Sequence, residues 1–344
     1  MAKLTLEEIA ILSGVSRSTV SRVINNHIEV RPEVRERVLK VVTETGFYPN
    51  PAARSLVSRR SGIIGLVIPE TTEIVFTDPY FAPLIQGVAE ACNKDDYTLS
   101  LILFHITEDE AKLPMRILNR QIFDGVIVTG THTDDPLIPH LIEQEIPFVT
   151  VGEYDDPKVN YVDTDNQGGA YAAVDHLIRL GRKRIATITG PLNSRAAWHR
   201  KEGYLNALRD HGYLMDESLI ATGNFSQTSG YECMKTLLSF SPDAVFIASD
   251  MMALGALRAL RDARVSVPGD VALVGYDDLP PATLAEPPLT TVHQPIKQTG
   301  IRAVRTLIDI LENGLEPVRR VTLATDLVIR SSCGAAFNSN QKRR

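Results

Sequence analysis

The stretch LTLEEIAILSGVSRSTVSRVIN, residues 4–25, constrains the chain more than any other. It sets Ala10, Gly14 and Val20 at the spacing A-x3-G-x5-V, which two short helices crossing through a tight turn require. A small residue at 10 lets the helices approach, and Gly14 supplies a positive-φ turn at little steric cost. Val20 packs the second helix back onto the first. Thr5 and Glu8 form a capping box of the T-x-x-E form, and Ser16 is a natural N-cap for the second helix. Residues 32–45 predict a third helix, opened by Pro32 and stopped by Gly46. Val34, Val38, Val41 and Val42 share one of its faces. Residues 1–48 therefore read as an all-α helix-turn-helix domain, whose second helix suits the major groove of double-stranded DNA.

Residues 47–60, FYPNPAARSLVSRR, follow. Asn50 can cap and Pro51 can open a short helix through Leu56 or Ser58, far below the roughly 12–15 residues that hold a helix alone. Residues 49–60 are thus expected to be a hinge helix and linker that forms only against DNA or a second chain.

Charge follows the same division. The first sixty residues hold ten Lys/Arg and six Asp/Glu, a net +4, whereas the whole chain carries −6, so the remainder carries −10. A basic head on an acidic body fits a head that meets phosphates and a body that does not. At 344 residues the chain suits two or three domains. No apolar run approaches the roughly 18–20 residues needed to span a bilayer. The opening MAKLTLEEIA is acidic where a signal peptide is basic and then apolar, so a cytoplasmic protein without membrane contact is expected. Cys92, Cys233 and Cys333 are widely spaced and form no CxxC pair, which signals neither a zinc site nor a disulfide framework. No metal or cofactor is expected.

From Gly62 the texture changes to short β-branched runs alternating with amphipathic segments. Strands are predicted at 63–69, 97–103, 125–130, 147–152, 184–190, 244–249 and 271–276, and helices at 83–93, 167–180, 198–211, 228–239 and 252–263. Alternation of this kind builds parallel α/β sheets. Two such sets, roughly 61–162 and 163–288, predict two doubly wound lobes within a 61–330 body, followed by a 331–344 tail. The segments 288–295 and 322–329 predict that the chain crosses back between the lobes. Small ligands bind between such lobes, at the carboxyl ends of strands.

Six segments in order carry a resemblance over almost the whole chain: VSRSTVSRVIN with YPNPAARSL, DNQGGAYAAVDHLIRLGRKRIATITGP, RKEGYLNAL, SDMMALGALRAL, VPGDVALVGYDD and PPLTTVHQP. They resemble the lactose-repressor (LacI/GalR) family of bacterial transcriptional regulators, whose effector body has the fold of periplasmic sugar-binding proteins. The resemblance implies a dimeric repressor on a near-palindromic operator, switched by a small molecule, in this case a carbohydrate.

In the head, the resemblance implies base contacts from Arg17, Ser18 and Arg22. Arg17 can fork onto guanine O6 and N7, a contact worth about 1–3 kcal/mol in discrimination. Thr19, Ser21 and Asn25 suit phosphates, which position without reading, and the caps Thr5 and Ser16 join the DNA-facing set. The resemblance further implies that two hinge helices, one per subunit, lie in the minor groove with Leu56 wedged into a central base step. Ala53, one turn earlier, lets the backbone approach the groove floor. Two hinge helices need two chains, so a homodimer is expected. The tail has no apolar heptad that would tie dimers into a tetramer.

In the body, the resemblance sets Arg200 and Asp277 across the effector, where a guanidinium fork and a carboxylate bracket vicinal hydroxyls. Phe225 matches an aromatic that stacks on the ligand, and Tyr80 and Phe81 match residues at the cleft mouth. Ser249 and Asp250, at a strand's carboxyl end, and Trp198, two residues before Arg200, complete the expected effector site. His199 stands where relatives often carry aspartate. A solute-binding protein without regulatory role is the competing reading, though export would require a leader that MAKLTLEEIA does not offer. An enzyme is not expected: GxxxxGK[ST], a post-strand GxGxxG, HExxH and GxSxG are all absent.

Overall fold

The computed structural model describes residues 4–24, 29–47, 60–103, 118, 122–130, 132–133 and 136–335. The chain divides into two compact units, Met1–Gly62 and Ile63–Arg344. The first holds α1 (Leu6–Ser13), α2 (Arg17–Ile24) and α3 (Pro32–Thr45). The capping box is made: the Glu8 amide donates to Thr5 Oγ1 at 3.3 Å and the Thr5 amide to Glu8 Oε2 at 2.6 Å. Gly14 closes α1 at φ 63°, left-handed backbone that favours glycine. Ile9, Ala10, Val20, Val23 and Val38 form the core, with Val41 and Val42 packed against it.

The second unit is two similar lobes. The first lobe's sheet runs β2-β1-β3-β4-β5-β11, from Thr98–Leu103, Ile63–Ile68, Gly125–Thr129, Phe148–Val151, Tyr161–Thr164 and Arg320–Leu323. All its pairings are parallel. The second lobe's sheet runs β7-β6-β8-β9-β10-β12, from Ile220–Thr222, Ile185–Thr189, Ala244–Ile247, Ala272–Asp277, Thr290–His293 and Asp326–Val328. Only its edge strand β12 is antiparallel, against β10. The central strands β3, β8 and β9 are buried along their whole length, so they read as unbroken apolar runs rather than alternating ones.

Helices cover both sheets. In the first lobe these are α4 (Thr72–Thr77), α5 (Phe81–Lys94), α6 (Leu137–Glu143) and, arriving from late in the chain, α12 (Ile296–Asn313). The second lobe has α7 (Asn166–Arg179), α8 (Arg195–Asp210), α9 (Gln227–Leu238), α10 (Asp250–Asp262) and α11 (Pro280–Leu284). The chain passes between lobes three times, at 164–166, 293–296 and 323–326. Beyond β12 it stays built into the second lobe. The Ser332 hydroxyl accepts from the Thr290 amide at 2.8 Å and donates to the Leu273 carbonyl at 2.7 Å, and Cys333 is buried.

The α9–α10 pair is packed through glycine. A β-carbon at Gly255 would collide with the Gln227 carbonyl oxygen and approach the Tyr231 amide nitrogen to 2.8 Å, both backbone atoms that cannot swing away. Gly255→Val is therefore expected to cost about 3 kcal/mol by forcing the helices apart. A urea melt unchanged from wild type would show that the pair has slack the packing does not suggest.

Candidate functional site

Residues near the carboxyl ends of both sheets' parallel strands interact across the two lobes. On the second lobe β8 runs out into Ala248, Ser249 and Asp250, and β9 ends on Asp277. Arg200 rises from α8 and is 5% exposed. Its Nε donates to Asn166 Oδ1 at 2.9 Å and its Nη1 to the Ala248 carbonyl at 2.6 Å. The same Nη1 lies 3.5 Å from Asp277 Oδ1, and the guanidinium stands 3.8 Å over the Tyr276 ring. The cation is thus fixed by neutral acceptors and an aromatic face, and only loosely by its carboxylate.

Asp277 sits at φ 118° and Asp278 at φ 59°, left-handed backbone that aims the Asp277 carboxylate across the strand ends. Asp277 Oδ1 accepts from Gln294 Nε2 at 2.5 Å, and Oδ2 from the Asp250 amide at 3.3 Å. Burial pushes its carboxyl up to about 7, against the opposing pull of the Arg200 charge. Asp250 is raised too, by burial and then by the charge of Asp277. An acid that titrates higher in the folded chain favours folding as it takes up its proton. The unliganded body should gain stability as pH falls from about 7 toward the ordinary carboxylate range and lose it as pH rises again. Urea melts at about pH 5 and about pH 8 check this, and Asp277→Asn should flatten the difference. An equally steep dependence in that variant would place the titration elsewhere.

Three of the expected effector residues, Asp250, Ser249 and Phe81, make contacts inside the protein. Asp250 is fully buried, and its two oxygens accept from the Thr291 hydroxyl at 2.6 Å and the Leu279 amide at 2.8 Å. It thereby ties the end of β8 to β10 and to the turn that carries Asp277. The Ser249 hydroxyl caps α10, accepting from the Met252 amide at 3.2 Å. Phe81 is 7% exposed and belongs to the first lobe's core. Phe225, at φ 65°, lays its ring where a side chain on Gly190 would stand.

Tyr80 is the first lobe's contribution. Its amide donates to Asp78 Oδ1 at 2.9 Å, and its ring meets Phe81 edge-on at 5.5 Å between centroids. Burial raises its phenol, which lies in the combined field of Arg200, Asp277, Asp163 and Asp78. Asp163, at the end of β5, accepts from the amides of Glu153 at 3.0 Å and Thr164 at 2.7 Å and from Asn166 Nδ2 at 3.0 Å. Burial raises its carboxyl as well.

At the mouth the lobes touch directly. Glu153 of the first lobe pairs with His199 Nε2 at 3.1 Å and Arg195 Nη2 at 3.4 Å, both on α8, and Arg195 Nη1 lies 3.4 Å from Asp155. Arg195 also covers the Trp198 ring at 4.9 Å, while Trp198 meets His199 edge-on at 5.0 Å. Trp198 remains 38% exposed, which leaves an aromatic surface at the mouth. The Thr133 amide donates to the Asn193 carbonyl at 3.1 Å, and His132 bridges to Ser194. Asn166, Asp163, Gln294, Glu153 and Arg195 were not anticipated from the sequence; the nearest signal was that Asn166 and Gln294 fall inside DNQGG and VHQP.

In the head, α2 exposes Arg17, Ser18 and Arg22, with Thr19 and Ser21 half-buried along the same helix. Ser16 caps it, accepting from the Thr19 amide at 3.2 Å. Arg17 Nε is paired with Glu7 Oε1 at 3.1 Å on α1. Asn25, Ala53 and Leu56 lie outside the described residues. Among the described residues no group of His, Cys, Asp and Glu could hold a metal ion, and no helix is long and apolar enough to cross a membrane.

Comparison with known proteins agrees with both halves. Residues 5–50 match the bacterial regulatory proteins of the lacI family, and residues 174–333 a periplasmic binding protein-like domain. The chain is 42% identical over 334 residues to the HTH-type transcriptional regulator CelR of Thermobifida fusca, covering 95% of this chain and 98% of that protein. It is 34% identical over 336 residues to the ribose operon repressor of Escherichia coli K12, covering 95% and 99%. Among solved structures, a CelR–cellobiose complex superposes with a TM-score of 0.77 at 39% identity, over 96% of this chain and 99% of that one. A lac repressor dimer bound to operator and the anti-inducer ONPF gives 0.83 at 26% identity, over 96% and 99%. With a capped helix-turn-helix head, a two-lobed periplasmic-binding-protein-like body and relatives that are regulators rather than enzymes, the chain belongs to the lacI family of bacterial transcriptional regulators.

Proposed function

We propose that the chain is a cytoplasmic repressor that binds a near-palindromic operator as a homodimer and is switched by a carbohydrate in the cleft between its lobes. The observation that carries the effector site is the buried Arg200–Asp277 pair at the carboxyl ends of the second lobe's strands, facing Tyr80 of the first. Arg200 and Asp277 would bracket vicinal hydroxyls with charge-assisted hydrogen bonds. Phe225, Tyr80 and Trp198 would offer apolar surface to the sugar ring. Arg17, Ser18 and Arg22 would read bases, with Thr5, Ser16, Thr19 and Ser21 near the backbone. Asn25 would add a phosphate contact, and Ala53 and Leu56 would form the minor-groove element. The solved CelR–cellobiose complex and the lac repressor dimer on operator are the relatives that support a sugar effector and a dimer.

The switch would run through the crossing segments. Asp277 accepts from Gln294, and Gln294 Oε1 accepts from the Thr164 hydroxyl at 2.9 Å, so the effector carboxylate is two hydrogen bonds from the first crossing. An effector that engages Asp277 competes with Gln294 and shifts the balance between lobe arrangements, and that shift is what DNA affinity would report. Thr164→Val keeps shape and leaves Asp277 untouched, at a cost of about 1 kcal/mol for the lost hydrogen bond. Calorimetry with cellobiose should then give an affinity close to wild type, while the ligand-induced change in operator affinity shrinks. Equal switching by wild type and variant would reject the crossing as the coupling path; absence of heat from cellobiose and every other sugar tried would reject the carbohydrate site.

A further inference from the structure

On the reading that the cleft holds the effector, we propose that the first turn of α8 is the second lobe's half of a latch across the cleft mouth. Release and closure of this latch set how fast a ligand enters and leaves. The body of α8 is anchored in the second lobe: Tyr204, Leu205, Ala207 and Leu208 join its core, and Arg200 is tied to Asn166 and Ala248. The first turn belongs instead to the contact with the first lobe. Glu153 pairs with both Arg195 and His199, which stand one turn apart on the helix, and Asp155 takes a further edge of the Arg195 guanidinium. A second first-lobe segment holds the residues that lead into the helix. There the Thr133 amide donates to the Asn193 carbonyl at 3.1 Å, and His132 bridges to Ser194.

These contacts hold the mouth without locking it. The side chains of Glu153 and Asp155 are 31% and 68% exposed, so water competes for each pair. Closure also has an opposing cost at the same place. Arg195 Nε and His132 Nδ1 are buried without a hydrogen-bond partner among the described residues. A buried polar nitrogen left unpaired is unfavourable, and parting of the lobes returns it to water. Charge pairs that favour closure thus stand against two desolvated nitrogens that favour opening. The three crossings, by contrast, are continuous backbone and cannot part. Trp198, the chain's only tryptophan, lies within the latch, beneath Arg195 and edge-on to His199, so its fluorescence reports the state of the mouth.

The test is acrylamide quenching of Trp198 in the unliganded full chain, with stopped-flow mixing against cellobiose in parallel. Glu153→Gln keeps size and removes the charge that both α8 residues share. It should raise the quenching constant about twofold and speed cellobiose association and dissociation alike by about fivefold, as the loss of two partly solvated pairs dictates. Arg195→Lys keeps a cation for Glu153 and deletes the unpaired Nε, so its mouth should open no more readily than in wild type. Adding His199→Gln to Glu153→Gln should change quenching little further, because both break one contact. Asp155→Asn, at a mostly exposed carboxylate, should act in the same direction more weakly, and guards against a folding defect in the first variant. Unchanged Trp198 quenching in Glu153→Gln and Asp155→Asn would overturn the latch whatever binds in the cleft. A weaker Kd at an unchanged association rate would make Glu153 an ordinary binding residue and overturn it too. Raised quenching in Glu153→Gln with no response of wild type to cellobiose would uphold the opening mouth and count against cellobiose alone.

Discussion

Replacing Asp277 by alanine is expected to weaken effector binding by at least about a hundredfold and to leave DNA recognition by the head intact. The carboxylate is the acceptor on which Arg200, Gln294 and the Asp250 amide converge. Its loss leaves a buried guanidinium held only by Asn166, Ala248 and the Tyr276 ring. Breaking a buried ion pair commonly costs about 3–5 kcal/mol. The cost to folding here should be smaller, because Asp277 is itself a desolvated acid in left-handed backbone and its pair with Arg200 is a long one. Binding and stability therefore separate: calorimetry should register the large loss, urea melting a modest one. Asp277→Asn, which keeps an acceptor for Gln294, should fall between alanine and wild type in affinity. Undiminished binding by the alanine variant would remove Asp277 from the site.

The second large effect is expected at Arg17. Arg17→Ala should weaken specific operator binding by about 10–100-fold and relax selectivity at one base pair per half-site, the signature of a lost fork onto guanine. Without DNA the guanidinium rests on Glu7, both partners being mostly exposed, so the pair adds little to the fold and is easily traded for a base. Glu7 would remain as an unpaired carboxylate near phosphates, which deepens the loss in the single variant. Binding-site selection with wild type and variant checks this; a uniform weakening over all sequences would assign Arg17 to phosphate instead.

The head was legible because its signals are local. Thr5 and Glu8, Gly14, Ser16, Pro32 and Gly46 each act within a turn or two of themselves, and the structure forms the corresponding caps and stops. The body was legible as alternating strands and helices, and the central buried strands were the clearest. The three-residue strands β7 and β12 carry too few positions to set a period. Helix α12, the longest among the body's described residues, was not anticipated, although Ala303, Val304, Leu307 and Ile310 recur at helical spacing along its buried face.

The cleft was legible only where the family resemblance supplied residues. Thr164 and Gln294 meet although 130 positions apart, and Arg200 and Asp277 although 77 apart, so spacing could not announce them. Nor could the sequence tell that Asp250 turns inward. That depends on Gly275 of the neighbouring strand, whose missing side chain leaves room for the Asp250 carboxylate. Tyr80 and Phe81 divide between cleft and core for a simple reason: consecutive residues at a helix start point about 100° apart.

Fluorescence anisotropy of the full chain on an operator selected from random duplexes, with and without the sugar that binds most tightly, measures operator binding and its control by the effector together. Two chains should bind a near-palindromic operator with an affinity that changes at least about tenfold when the sugar is added, a coupling of about 1.4 kcal/mol or more, and that does not change in Asp277→Ala. An operator affinity indifferent to every ligand that fills the cleft would contradict it.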